Sequence, residues 1–272
     1  MHIGIMGCAG RMGRTNLAEV LDHPRAELAG AVEDQDHPAI GEDLGRLIGR
    51  EPLGIAVTSD VSALVEASDA VIDFTTPTAS LAGTRAAAAV GTAYVLGTTG
   101  FSADERGQLK DHSRHCPIVW AANMSQGVNL LMALVEQVAQ ALDSQFDIEV
   151  LEMHHRHKVD APSGTALAVG EAAAKGRGVS LGGVAVRGRD GHTGERKPGD
   201  IGFAVLRGGD TVGDHTVVFA GAGERIELTH RAFDRRIYAR GALRAAAWAI
   251  GQPAGLYDMS HVLGFDNRSG KT

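Results

Sequence analysis

The densest group of chemically active side chains lies between residues 152 and 165. It contains His154, His155, His157 and Lys158, and it ends in a Pro-Ser-Gly-Thr turn. Imidazole is a common metal ligand, but this spacing differs from the i, i+4 pair that places two ligands on one helix face. We therefore predict no metal here. A solvated basic patch is the plainer alternative, because charged runs usually face solvent.

The turn that follows favours a binding site over a solvated patch. Ser163 is a good helix N-cap, and Gly164 lets a ligand approach the backbone. The Thr165 hydroxyl lies beside the first free N–H groups of a helix predicted over residues 165–175. Together these groups form an anion-binding turn, called here the anion cradle. The cationic side chains just before it suit a substrate that carries carboxylates. His154 or Lys158 can also donate the proton that hydride transfer to a C=C–C=N system requires.

A glycine-rich loop follows the first predicted strand directly. Its sequence over residues 7–13 is Gly-Cys-Ala-Gly-Arg-Met-Gly, and a helix is predicted to begin within it. A dinucleotide pyrophosphate requires such bare backbone at a helix N-terminus, although glycines at this spacing also occur in tight turns. Glu33 ends the second predicted strand, where an acid can bind the adenosine ribose. We predict a dinucleotide site that includes Gly7, Cys8, Ala9, Gly10, Arg11, Met12 and Glu33.

Asp34 bears on which nicotinamide dinucleotide binds. A 2′-phosphate carries about two negative charges and would meet Glu33 and Asp34 together, with no adjacent Lys or Arg. We therefore predict NADH as the preferred cofactor. NADPH is the alternative if Asp34 points to solvent and Arg11 or Arg14 contacts the phosphate.

Two further segments follow predicted strands at the carboxyl edge of the sheet, where open α/β folds bind ligands. The first is Gly-Thr-Thr-Gly at residues 97–100, and the second is Ala-Ala-Asn-Met-Ser at residues 121–125. Either could be an ordinary turn. With the glycine loop upstream, we predict contacts to the nicotinamide half of the cofactor from Gly97, Thr98, Thr99, Ala121, Ala122, Asn123 and Met124.

The elements that position these residues follow from hydrophobic periodicity. Short apolar runs alternate with Ala-rich helical segments in the first half, which indicates β-α-β units and a doubly wound parallel sheet. The strands are predicted at residues 3–6, 27–32, 70–74, 93–96 and 118–121, and the helices at 12–21, 62–67, 80–90 and 103–115.

The second half has a different pattern, typical of a smaller α+β domain. A helix at 130–142, a strand at 147–154 and the helix at 165–175 precede a loop at 188–199. Residues 201–207, 216–220 and 225–230 are predicted to form an antiparallel set, followed by a final helix at 237–250. We assign residues 1–125 to a Rossmann domain, 126–240 to a second domain, and 241–272 to a C-terminal helix and tail that pack back on the Rossmann domain.

Composition excludes several classes of function. The chain has 272 residues, 44% hydrophobic content and a net charge of −7, which argues against nucleic acid as a partner. Two cysteines, Cys8 and Cys116, cannot form a disulfide framework and favour a reducing cytoplasm. No run of 18 apolar residues and no leader-like segment is present, so we predict a soluble cytoplasmic protein without a membrane partner.

Over essentially its whole length the sequence resembles the 4-hydroxy-tetrahydrodipicolinate reductase (dihydrodipicolinate reductase) family. Residues 152–165 are the most specific part, supported by residues 7–13, 74–77, 97–100, 121–129 and 191–196. The resemblance implies an NAD(P)H-dependent oxidoreductase of the diaminopimelate route to lysine. Such an enzyme reduces 4-hydroxy-tetrahydrodipicolinate, a small dicarboxylate cyclic imine, to tetrahydrodipicolinate. It also implies that the second domain binds substrate and that its sheet builds a homotetramer.

By the same resemblance, His154 matches the family's proton donor/acceptor and Lys158 its proton donor. His155, Gly164 and Thr165 match residues that contact the substrate carboxylates. Asp34 departs from the Arg of bacterial members, which puts NADPH use in doubt, and Met124 replaces a common Phe.

Two other functions are consistent with a Rossmann half. One is another two-domain oxidoreductase that acts on an aspartate-derived aldehyde or imine. An aldehyde dehydrogenase needs a nucleophilic cysteine at the nicotinamide, and neither cysteine is placed for that. The other is a redox-sensing regulator that binds NAD(H) without turnover, which would not need residues 154–165.

Overall fold

A computed structural model describes residues 1–265 of the chain. Within that range the strands, in chain order, are β1 His2–Met6, β2 Glu27–Val32, β3 Ala70–Asp73, β4 Ala93–Leu96, β5 Pro117–Trp120, β6 Asp147–His154, β7 Ala185–Val186, β8 Ile201–Arg207, β9 Gly213–Gly221, β10 Glu224–Ala232 and β11 Gly255–Tyr257. The helices are α1 Arg11–Asp22, α2 Leu44–Leu47, α3 Val61–Ala67, α4 Pro77–Val90, α5 Ala103–His112, α6 Gln126–Ala141, α7 Gly164–Gly176, α8 Leu181–Val184, α9 Arg236–Ala249 and α10 Met259–Leu263.

The chain divides into two compact units. One unit is Met1–Gln126 together with the segment that starts at Arg236, and the other is Gly127–Arg235. The predicted tail at residues 266–272 lies outside the described residues. None of the helices within residues 1–265 is both long enough and apolar enough to cross a membrane.

The first unit contains a six-stranded parallel sheet in the order β11-β5-β4-β3-β1-β2. Successive strand side chains point to opposite faces, so Ile72 joins the hydrophobic cluster that includes α1 and α9, whereas Val71 joins the cluster that includes α3 and α4. Alanines 242, 245, 246 and 249 give α9 a smooth buried face against the first of these clusters. The predicted doubly wound parallel sheet is confirmed.

The second unit contains a five-stranded mixed sheet in the order β10-β9-β6-β8-β7. Helices α6 and α7 bury one face of it, where Val135 and Val169 share a core with Val150 and Phe203. The opposite face leaves Leu206 48% exposed. The predicted combination of a Rossmann sheet with a smaller α+β unit is therefore confirmed.

One strand assignment was wrong. Residues 201–207 were predicted to belong to an antiparallel set, but β8 runs parallel to β6, while β9 is antiparallel to β6 and to β10. A parallel pair needs a long crossover, and the connection between β6 and β8 supplies one that contains α7. Hydrophobic alternation alone does not distinguish these two pairings, because it is the same in both.

The segment at residues 188–199 is free of helix and strand within the described chain, as predicted for a loop. Arg189 donates two hydrogen bonds to the Glu149 carboxylate on β6, at 3.0 and 2.9 Å. Arg196 binds both Glu149 and Asp147, at 3.0 and 2.6 Å. These ion pairs anchor the loop to the start of β6.

Candidate active site

The glycine loop has the geometry of an anion-binding turn at the end of β1. Gly7 adopts a φ of +64°, which favours glycine, and its N–H donates to the carbonyl of Val32 at 2.9 Å. A Cβ at Gly13 would lie 2.0 Å from the Gly7 carbonyl oxygen, so the turn requires glycine there. Gly10 occupies the N-cap of α1 and has no side chain with which to cap the first helical N–H groups. This bare helix N-terminus fits a dinucleotide pyrophosphate.

Glu33 connects the end of β2 to the glycine loop. Its carboxylate accepts hydrogen bonds from the N–H groups of Ala9, at 2.9 Å, and Asp34, at 3.1 Å. Asp34 is exposed and accepts a hydrogen bond from the Asp36 N–H at 3.1 Å. Two consecutive acidic residues therefore follow β2, where a cofactor ribose binds in this fold.

The side chains of Arg14 and Cys8 are both engaged within the protein. Arg14 donates to the carbonyls of Ala9, at 2.9 Å, and Leu47, at 2.5 Å. Cys8 is fully buried in the core, and this burial raises the pKa of its thiol to about 12. Cys8 therefore offers a ligand only its backbone.

A buried polar network underlies the Gly-Thr-Thr-Gly segment after β4. The Asp73 carboxylate at the end of β3 accepts hydrogen bonds from Tyr94 Oη at 2.8 Å and from both the Thr75 hydroxyl, at 2.6 Å, and its N–H, at 2.8 Å. Ser80 Oγ lies 2.9 Å from the Thr98 hydroxyl. Burial raises the pKa of Asp73 above its ordinary value. The network fixes the loops that follow β3 and β4.

The predicted nicotinamide-side residues differ in exposure. Thr98 has a buried side chain and a carbonyl that accepts from the Trp120 indole N–H at 3.1 Å, whereas Thr99 is exposed.

Met124 is buried in the core, where a Cβ on Gly241 of α9 would lie 1.7 Å from its carbonyl oxygen. Gly97 packs closely on the Phe74 ring, which a Cβ would meet at 2.4 Å. Ala122 is exposed, and Ala121 and Asn123 are half-buried.

The second unit brings one predicted proton donor, His154, together with a buried carboxylate. Glu152 and His154 point to the same face of β6, and Glu152 Oε2 lies 2.5 Å from His154 Nδ1. Arg207 at the end of β8 binds both Glu152 oxygens, at 2.8 and 3.0 Å. Burial acts to raise the pKa of Glu152, but hydrogen bonds from Arg207, His154 and the Ser163 N–H outweigh it and hold that pKa below its ordinary value.

A second buried histidine lies beside this group. His215 on β9 contacts the His154 ring edge-on, with 5.1 Å between ring centroids, and its Nε2 lies 3.2 Å from Ser163 Oγ. Burial and the neighbouring His154 lower the pKa of His215 to about 4, so it is neutral near pH 7. Ser163 caps α7 by accepting from the Ala166 N–H at 3.1 Å.

Lys158 lies in the turn that follows β6. Its Nζ lies 2.7 Å from Asp160 Oδ1, and this hydrogen bond is the main reason that the pKa of Asp160 is lowered. The His155 N–H donates to the Thr211 carbonyl at 2.8 Å. Desolvation, and then the cation of Arg235, hold the pKa of His155 below its usual value.

The cradle at the start of α7 has room for a ligand. Among the described residues, no atom beyond its chain neighbours and its own helix lies within 4 Å of the position that a Cβ on Gly164 would occupy. Gly164 is exposed and Thr165 is half-buried. Within residues 1–265 there is no cluster of three or more His, Cys, Asp or Glu side chains suited to a metal ion.

No functional role was predicted from the sequence for Glu152, Arg207 or His215. Glu152 was detectable, because residues two apart on a strand share a face and it precedes His154 by two. Arg207 and His215 come from neighbouring strands, and only the register of the sheet places them opposite β6.

Both units match families of known proteins. Residues 1–124 match the family described as Dihydrodipicolinate reductase, N-terminus, and residues 127–263 match the one described as Dihydrodipicolinate reductase, C-terminus. The 4-hydroxy-tetrahydrodipicolinate reductase of Ruegeria sp. (strain TM1040) is 56% identical over 96% of this chain and 97% of its own length. The protein of the same name from Parvibaculum lavamentivorans is 56% identical over 98% of each chain.

A solved structure shares the fold. Dipicolinate-bound dihydrodipicolinate reductase from Paenisporosarcina sp. TG-14 superimposes with a TM-score of 0.73 at 23% identity, covering 95% of this chain and 97% of that one. The matches in sequence extend over nearly all of the chain and agree with the resemblance found in residues 152–165. The chain therefore belongs to the dihydrodipicolinate reductase family.

Proposed function

We propose that this protein reduces 4-hydroxy-tetrahydrodipicolinate to tetrahydrodipicolinate with a hydride from NAD(P)H, in the diaminopimelate route to lysine. The observation that carries the proposal is the ion-paired Glu152–His154 group beside the start of α7, where Gly164 leaves space for a ligand. It combines a proton donor with a place for carboxylates. The relatives that are 56% identical and bear the reductase name support the same reaction.

The balanced reaction eliminates one water molecule and adds one hydride and one proton. Loss of the ring hydroxyl with a neighbouring hydrogen, as water, leaves a C=C bond conjugated with the C=N bond. A bound nicotinamide nucleotide supplies a hydride to one carbon of that system. His154 and Lys158 are the proposed donors of the proton that completes the reduction, since both are cationic acids when protonated.

The protein also orients the substrate. We assign one substrate carboxylate to the start of α7, with Gly164 and the Thr165 hydroxyl, because a helix N-terminus favours negative charge. His155 and Lys158 add hydrogen-bond donors on the turn before the helix. Fixing the ring through its two carboxylates reduces the entropy lost in reaching the transition state.

Gly164→Ala tests the carboxylate cradle. The described residues leave space for a Cβ at this position, and alanine is a better helix former than glycine, so we expect the variant to fold at least as stably as wild type. A bound carboxylate would meet the added methyl group, so KM for the substrate should rise about tenfold or more.

Steady-state kinetics and thermal unfolding measure the two effects of this substitution. Gly183→Ala is a matched control, because it also adds a Cβ in open space on a helix of the same unit. An unchanged KM in Gly164→Ala would remove the cradle from the substrate site.

For the cofactor, we propose NADH in preference to NADPH. Glu33 and Asp34 are consecutive acidic residues beyond β2, and Arg14 is engaged by two backbone carbonyls. A 2′-phosphate would therefore meet two like charges, without this arginine to offset them. We also assign Gly7 to Met12 to the pyrophosphate, and residues 97–99 and 121–124 to the nicotinamide side.

We further propose that the chain assembles as a homotetramer through the open face of its mixed sheet. Leu151 and Leu206 are exposed there by 38% and 48%, and exposed apolar side chains on a sheet face favour association. Light scattering should give about four times the monomer mass of 28.4 kDa. Leu206→Arg should lower that mass, and a monomeric wild type would contradict this assembly.

A further inference from the structure

The carboxylate of Glu152 is the most completely bound anion in the second unit. Only 1% of its side chain is exposed, and both oxygens are used. Oε2 contacts His154 Nδ1 at 2.5 Å and Arg207 Nη1 at 2.8 Å, while Oε1 accepts from Arg207 Nη2 and the Ser163 N–H, each at 3.0 Å. A carboxylate saturated in this way has a fixed position and remains ionised.

The contact with Glu152 decides which nitrogen of His154 is free. An ionised carboxylate only accepts hydrogen bonds, so Nδ1 must carry a proton in both the neutral and the charged ring. Nε2 is then the atom that gains or loses a proton. It lies beside Gly213, where a Cβ would be only 3.0 Å away, so glycine keeps the approach to Nε2 open.

Arg207 keeps the Glu152 carboxylate ionised and in position. A buried carboxylate with no cation would take up a proton or turn away, because burial penalises its charged form. The two-pronged contact from the end of β8 prevents both. Arg207 Nη2 also donates to the Asp160 carbonyl at 2.7 Å, so the same guanidinium supports the turn that carries Lys158.

We propose that Arg207 and Glu152 form a positioning pair for His154. Arg207 holds Glu152 in place and ionised, and Glu152 fixes the His154 ring with Nε2 as its proton-transferring atom. This inference rests on the proposed reductase function, and it assigns positioning roles that acid–base chemistry at His154 alone does not require.

The charged and titratable groups that face His154 come from every element around it. They are Glu152 on β6, His215 on β9 and the adjacent His155, while Arg207 on β8 reaches the ring only through Glu152, and Lys158 lies in the following turn. Among these five groups Glu152 is the one carboxylate. Replacing Glu152 with glutamine therefore removes the one anion in contact with the ring.

Glu152→Gln is the primary variant, because glutamine keeps the shape of the side chain and removes the charge. We expect kcat to fall by about 10- to 100-fold, the usual effect of losing a carboxylate that orients a histidine. The kcat–pH profile of this variant should differ from that of wild type, because the carboxylate in contact with His154 has lost its charge. Arg207→Lys should retain more activity than Arg207→Met, since lysine preserves the charge and loses only the two-pronged geometry.

Glu149→Gln is the matched control. Glu149 lies on the same strand, pairs with Arg189 and Arg196, and anchors a loop that has no part in the proposed proton transfer. Its kcat–pH profile should coincide with that of wild type. If Glu152→Gln also keeps the wild-type kcat and profile, or if its profile shifts no more than that of Glu149→Gln, the positioning pair is overturned.

Nitrogen NMR of wild-type protein tests the tautomer without relying on the folding of any variant. The His154 resonances, assigned by their loss in His154→Ala, should show a proton on Nδ1 at every pH at which the enzyme is active. A neutral ring protonated only on Nε2 would overturn the inference. An inactive His154→Ala beside a normal Glu152→Gln would refute the pair and leave the proposed function standing, whereas a wild type that reduces no substrate would refute the function itself.

Discussion

His154→Ala and Lys158→Ala are each expected to lower kcat by about 10²- to 10⁴-fold, the range that a positioned acid contributes. NADH affinity should change little, because the residues assigned to the cofactor are a separate set. The physical reason is that hydride addition to the conjugated ring leaves negative charge, which only a proton can neutralise. Steady-state kinetics at saturating NADH, together with a direct binding measurement, separate the two quantities.

The control for Lys158→Ala is Lys175→Ala on α7. Lys175 is paired with Glu136 at 2.9 Å, much as Lys158 is paired with Asp160, but it is far more exposed and lies at the other end of the helix. Its removal should leave kcat unchanged. If both His154→Ala and Lys158→Ala retained the wild-type kcat, neither side chain would be a proton donor and the catalytic assignment would fail.

The second large effect concerns the cofactor. Wild type should have a higher kcat/KM with NADH than with NADPH, and Asp34→Arg should raise kcat/KM for NADPH by about tenfold or more. A 2′-phosphate carries about two negative charges, so exchanging an adjacent carboxylate for a guanidinium turns repulsion into attraction. Arginine also matches phosphate geometry with two donors.

Asp34→Asn separates charge from geometry in the same assay. It removes the repulsion without adding a cation, so its kcat/KM for NADPH should fall between those of wild type and Asp34→Arg. Adding salt should narrow the differences, because Asp34 is exposed and its field is screened. A wild type that prefers NADPH would contradict the cofactor proposal while leaving the reductase assignment intact.

The local features of the chain could be predicted because they depend on neighbouring residues. The strand Glu27–Val32 has the predicted bounds, and the glycine loop opens α1 as expected. Ser163 caps α7 through its hydroxyl, as its residue type before a helical pattern indicates. The family resemblance of residues 152–165 then indicated the reductase chemistry, which secondary structure alone does not specify.

The features that sequence reasoning missed depend on contacts between distant segments. The ion pair of Arg207 with Glu152 joins residues 55 positions apart, and the Tyr94–Asp73 hydrogen bond joins residues 21 apart. Strand β11 adds only three residues to the edge of the parallel sheet, which is too short for a periodic signal. The parallel pairing of β8 likewise depends on the crossover through α7, which alternation along β8 does not reveal.

Oxidation of NADH in the presence of freshly made 4-hydroxy-tetrahydrodipicolinate is the most direct test of the reductase assignment. The absorbance of NADH should fall by one equivalent for each substrate consumed, tetrahydrodipicolinate should accumulate, and omission of the substrate should stop the change. The same assay with NADPH should run at lower kcat/KM. A protein that binds NADH but oxidises neither cofactor with this substrate would contradict the account and would instead favour a redox-sensing regulator.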